Sequence, residues 1–223
     1  MNPNRQSWNR QQQELQRALA RPTEHRKVLE LFLSQHAMVH SAKVSRSGLW
    51  SFEDEIWQGL DEAGFRRVPR NCAHSIAWII WHIARIEDVA MNLLVAGTPQ
   101  ISQRDNWRTR LKISQRDTGN AMDAQDAVKL SAMIDLDASR AYRVAVGRRT
   151  RQIVKRLKPE DLKRKVEPAR LQRVIAEGAV VDAASGVIDY WGKRTIAGLL
   201  LMPPTRHNFL HLNEALRVKQ KCR

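Results

Sequence analysis

Residues 73–95 read AHSIAWIIWHIARIEDVAMNLLV, and this stretch most limits what the chain can fold into. Its apolar residues cover most of a helical surface, not a single stripe. A helix of that kind has to lie inside, surrounded by other elements. Pro69-Arg70-Asn71 precede it and Gly97-Thr98-Pro99 end it, a standard pair of boundary signals. One imidazole, His82, lies in its middle, flanked by Trp78, Ile79, Trp81, Ile83 and Ile86. A buried histidine needs partners for its ring nitrogens. A carbonyl or carboxylate can serve. So can a metal ion, with the second nitrogen held by such an acceptor.

The rest of the chain is also helical in pattern, with no convincing strand alternation. Residues 24–44 carry a broad apolar face, with Thr23 as the expected N-cap after Pro22. A shorter helix is expected over 51–62, capped by Ser51, with Glu53, Asp54 and Glu55 at its positive end. Residues 98–125 read as a polar connection with a helical turn near Trp107. A third long helix is expected over 126–157, with Gly147 as its weak point and Pro159 as its stop. Short helical pieces follow over 159–188, then a last segment over 189–220 broken by Pro203-Pro204. This pattern predicts an all-α fold, a four-helix bundle with short extra helices in its connections. Residues 1–22 are polar and Gln-rich and read as an N-terminal arm, amphipathic or disordered; 23–223 read as one domain.

The net charge is +15, with basic clusters at Arg104–Lys112, Arg140–Arg156, Lys158–Arg173 and Arg217–Arg223. Such a charge favours anionic partners, among them nucleic acid or an acidic small molecule. Most of it reads more plainly as solvated helix faces. No helix-turn-helix or zinc-finger signature accompanies it. No apolar run reaches the roughly 20 residues a bilayer demands, so no membrane partner is expected. The first residues lack the apolar core of a secretory signal. Cys72 and Cys222 are the only cysteines, which makes a structural disulfide improbable and suits a reducing cytoplasm.

Seven histidines are present, and two pairs share H-x-x-x-H spacing: His36 with His40, and His207 with His211. Four residues of helix turn about 400°, which leaves such side chains about 40° apart on one face. Spacing alone is weak, since chance pairs on helix surfaces are common. His82 on a second helix changes the balance. Three imidazoles could hold one ion and leave a coordination position open, as in catalytic rather than structural sites. Glu214, Glu87 or Asp88 could hold a ring N–H or accept a proton from bound water. His36 and His40 are open to three readings: pocket lining, a second site, or surface. His74 reads as a capping or surface residue and His25 as exposed.

The combination of AWIIWHIARIEDVAMN with HNFLHLNEA in the last helix resembles the DinB-like superfamily. DTGNAM at 117–122, SRAYRVAVGRRT at 139–150 and YWGKRTIAGLLL at 190–201 agree with it, so the resemblance runs from about 24 to 220. It implies a four-helix bundle with a divalent metal held by His82, His207 and His211. Members are described as metal-dependent enzymes. Characterised relatives transfer or rearrange groups with low-molecular-weight thiols, and many form dimers. For this chain the resemblance implies a bound Zn, Ni or Fe ion and thiol-dependent group transfer or hydrolysis. The resemblance also implies a homodimer; Glu214, read from its place on the face of His207 and His211, would be the catalytic helper, and the basic charge favours a small acidic substrate. The chain is longer than the simplest family pattern, mainly at its N-terminus and around 98–125 and 158–188. The competing reading is a non-enzymatic basic helical protein that binds nucleic acid or a protein partner. That reading leaves His82 without a role.

Overall fold

A computed structural model describes residues 2–20 and 24–222. The fold is all-α. Among the described residues the only β pairing is an isolated bridge between Lys165 and Thr195. Four helices carry the bundle: His25–Met38, Ile76–Asp88, Leu136–Val154 and Asn208–Lys221. Short helices fill the connections, including Phe52–Trp57, Trp107–Leu111, Pro168–Ala176 and Ser185–Gly192.

The second bundle helix is as interior as its sequence requires. All 13 residues of Ile76–Asp88 are buried. Ser75 caps it by accepting from the Trp78 N–H. Each large apolar side chain removed from water there contributes roughly 1.5–3 kcal/mol. The helix runs on as a π-helical stretch, Val89–Ala96, and ends at Gly97 in the left-handed conformation. A second π-helical stretch, Met202–His207, contains Pro203 and Pro204 and leads into the last bundle helix. Such wider turns let the chain pass prolines without a full break, and they are frequent at functional sites.

Several boundaries differ from the sequence pattern. The expected helix over 126–157 is two helices, Ala124–Met133 and Leu136–Val154. Asp135 divides them because its carboxylate accepts from the Ala138 N–H and so caps the second. The helix expected over 51–62 stops at Trp57; Ser51 does cap it, accepting from the Asp54 N–H. A new turn begins at Asp61, which caps Glu62–Arg66. Thr23, the expected cap of the first bundle helix, lies outside the described residues. Both cysteines are free thiols.

Residues 1–22, read as a polar arm, form over Pro3–Ala20 an amphipathic helix packed onto the bundle. Trp8, Leu15 and Leu19 are buried. The Trp8 ring stacks on Phe209 at 3.9 Å between centroids. The Trp8 indole N–H donates to the Gln35 carbonyl, and the Gln35 amide donates back to the Trp8 carbonyl. Only three strong apolar residues define this face, so glutamine and arginine hide it in a composition count. The packed unit therefore reaches back before residue 23.

Candidate metal centre

His82, His207 and His211 converge between the second and last bundle helices. Their nearest ring nitrogens all lie within 4.8 Å of one another. Ring centroids are 5.1 Å apart for His82 and His207, 4.9 Å for His82 and His211, and 4.5 Å for His207 and His211. His82 is buried; the other two are partly exposed. The His82 Nδ1–H donates to the Thr118 carbonyl at 2.6 Å. The His211 Nδ1–H donates to Glu214 Oε2 at 2.8 Å. Both bonds fix the tautomer and leave Nε2 with its lone pair free for an ion. His207 Nδ1 is buried without a hydrogen-bond partner. Three imidazoles with two tautomers pinned and one orphaned nitrogen are a donor set that fits a divalent transition metal.

Glu214 does more than hold His211. Its other oxygen, Oε1, accepts from His74 Nδ1 at 2.9 Å. His74 is thus neither a cap nor a free surface residue. Its ring stacks on Trp78 at 3.6 Å, and Trp78 stacks in turn on His82 at 4.5 Å. Burial pushes the Glu214 carboxyl up, but the His211 and His74 hydrogen bonds outweigh it and hold the group at about 2. Glu214 is therefore an anion at neutral pH.

Glu87 and Asp88, the other candidate partners, do not bond to these imidazoles. Asp88 takes the Tyr142 hydroxyl at 2.6 Å and the Ile101 and Ser102 backbone N–H groups. Glu87 is the hub of a separate cluster in the bundle interior. Its Oε1 accepts from His36 Nε2 at 2.9 Å and the Thr150 hydroxyl at 2.7 Å. Its Oε2 accepts from His40 Nε2 at 2.9 Å, Arg143 Nη1 at 3.0 Å and the Asn208 amide at 2.7 Å. Arg143 also reaches Glu53 at 3.1 Å. His36 and His40 are fully buried, so the surface reading of this pair is wrong. His25 is also not exposed: it is half-buried, with Nε2 on the Leu157 carbonyl. His36, His40 and Glu87 are close enough together to be compatible with a metal. Both Glu87 oxygens, however, already accept from five donors, one of them a guanidinium. Tight packing adds to this: a Cβ on Gly147 would come within 2.6 Å of His40 Nδ1, which accounts for glycine inside an unbroken helix.

Sequence reasoning missed this hub. A glutamate at position 87 and an arginine at position 143 each look like solvated helix charges. The available signal was that Glu87 lies in a helix with no exposed face.

A family model of the DinB superfamily matches residues 53–215, well over half of the chain. The chain belongs to the DinB superfamily. No curated protein matches it significantly. In this DinB-superfamily chain the match spans His82, His207 and His211, and begins after His36 and His40. No described helix is long and apolar enough to cross a membrane.

Burial sets the pH response. It lowers His82 first, the neighbouring His211 lowers it further, and the Thr118 bond only partly opposes them, leaving the ring at about 3. Burial likewise holds His40 and His207 well below the usual imidazole value, and lowers His36 despite Glu87. In the unfolded chain these rings take up a proton near pH 6.5. The unfolded state therefore binds more protons below that pH, and stability falls with acidification. From about pH 7 to about pH 5, His82 alone accounts for roughly 2 kcal/mol, or about 4–8 °C in melting temperature for a chain of this size. Glu87 lies well below the usual carboxylate range because its histidine partners outweigh its burial, so it acts in the same direction at lower pH. Glu53, raised by burial, opposes it. Thermal melts of metal-free protein across this range check the sign. A midpoint that holds or rises at the acid end would contradict it.

Proposed function

We propose that this chain is a metal-dependent enzyme whose centre is His82, His207 and His211. The observation that carries the reading is the pinning of two Nδ1–H groups, which turns lone-pair nitrogens toward a common point. Structural zinc sites use four protein ligands, whereas three leave a position for a reactant. The three histidines would hold Zn, Ni or Fe. A bound ion there would lower the pKa of a water or thiol ligand, making hydroxide or thiolate available near neutral pH. That chemistry supports hydrolysis or group transfer to or from a low-molecular-weight thiol as the reaction.

The chain's own residues have separable tasks. The Thr118 carbonyl orients His82. Glu214 orients His211 through one oxygen and takes His74 through the other. Ionised at neutral pH, Glu214 also places a negative charge beside the cluster, and its low affinity for protons keeps it in this orienting role. Trp78 forms a flat wall between His74 and His82, stacked on both rings. The buried Glu87 hub ties the first, second, third and last bundle helices together and so sets the spacing of the histidine-bearing elements.

The test is metal content. Purified protein loaded with zinc and dialysed should retain about one ion per chain. Near-zero retention at neutral pH would sink the reading. The nucleic-acid alternative predicts DNA binding that weakens steeply with salt, and retention of zinc is no part of it.

A further inference from the structure

We propose that the cavity beside His207 receives an uncharged, apolar part of the substrate. The proposal rests on the reading of His82, His207 and His211 as the reaction centre. The cavity is about 240 Å³. Val187, Tyr190 and Trp191 line it from the Ser185–Gly192 helix, and Met202 and Pro203 from the π-helical turn. His207, a member of the histidine cluster, lines it as well. In a chain with 27% charged residues, no Lys, Arg, Asp or Glu among the described residues lines this cavity, and Asn120 adds only an uncharged amide. Arg194 lies 4.2 Å over the Tyr190 ring and stays outside the lining.

The walls decide which chemistry fits. A carboxylate placed there would lose part of its water and gain no cation from the lining, so it is disfavoured against an uncharged group. An apolar cavity of about 150 Å³ is enough to bind benzene. A single ring with a short chain therefore fits the volume found here. Since His207 belongs to both the cavity and the histidine cluster, a group seated against Tyr190 and Trp191 would carry its head toward the three imidazoles. The acidic substrate expected from the net charge is therefore not what this cavity selects. A second cavity, lined by Arg85, Arg108 and Arg116, contains none of the three histidines in its walls. Its charge does not bear on what sits beside His207.

Three thiols with the same two-carbon head test this: 2-phenylethanethiol, 2-mercaptoethanol and 3-mercaptopropionate. Each is titrated into the full-length, cobalt-loaded protein, and the sulfur-to-cobalt charge-transfer band is read. The phenyl thiol should bind at least about 10-fold more tightly than either other thiol, as burial of a ring implies. Val187→Asp should erase that preference with cobalt uptake unchanged. Gly186 also lines the cavity and has room for a Cβ, so Gly186→Phe is tolerated and should weaken binding of the phenyl thiol by competing for the same wall. Equal affinities, a preference for the carboxylate, or a preference that survives both variants would overturn the proposal. Failure to load cobalt would instead remove the metal reading. Calorimetry with 2-phenylethanol on metal-free protein then decides about the cavity. Binding lost in Val187→Asp supports the apolar site, and absence of binding overturns it.

Discussion

Glu87→Gln is expected to destabilise the fold by about 3–5 kcal/mol, the cost of breaking a buried ion pair by removing one partner. The substitution preserves shape, and shape is not what the position needs. All five contacts to the carboxylate are from donors: His36, His40, Arg143, Thr150 and Asn208. A glutamine amide would turn its own N–H₂ toward some of them and leave the Arg143 charge with Glu53 alone. Stabilities of domains are commonly 5–15 kcal/mol, so such a loss removes a large share of the total. Urea unfolding at neutral pH measures it. Thr150→Val, which deletes a single donor and keeps the charge, should cost only about 1 kcal/mol. A Glu87→Gln loss as small as that of Thr150→Val would mean that the hub is not what holds the bundle together.

The second large effect is on metal. The His207→Ala/His211→Ala variant should bind zinc at least about 1,000-fold more weakly, since loss of a single residue that merely orients a ligand already costs 10–100-fold. His82 would be the only imidazole of the cluster left. Both altered side chains are partly exposed, so the core survives their truncation better than it would that of His82. Competition with a chelator reads the affinity, and circular dichroism checks the helices. Comparable affinity in variant and wild type would place the metal elsewhere, with the His36, His40 and Glu87 cluster as the first alternative. Glu214→Gln separates orientation from ligation. It should fall between the two, with weaker binding but retained stoichiometry.

Much of the candidate centre was legible because its key relations are local. His207 and His211 are four apart, His207 ending the π-helical stretch that runs straight into Asn208–Lys221, and their shared face follows from that continuous helical run. His82 stood out as a polar ring in a helix that had to be interior. Glu214 follows His211 by three residues, and its bond to that ring is again a local matter. The role of His74 was not legible, because Glu214 is 140 residues away from it. The N-terminal helix was hidden for a different reason. Its helical tendency was ordinary, but its place in the core depends on Trp8 meeting Phe209, which comes from the far end of the chain.

By itself, the sequence determined the helical class, the interior character of Ile76–Asp88 and the four-residue spacing that sets His207 and His211 on one helical face. Periodicity and capping are properties of neighbouring residues, so no tertiary information was needed for them. The tertiary structure alone decided that His82 faces that pair, that Glu87 serves His36 and His40 and not the candidate metal centre, and that an uncharged cavity opens beside His207. Each of these depends on which faces of distant helices meet. A pattern of spacing restricts those meetings, and only side-chain packing selects among them.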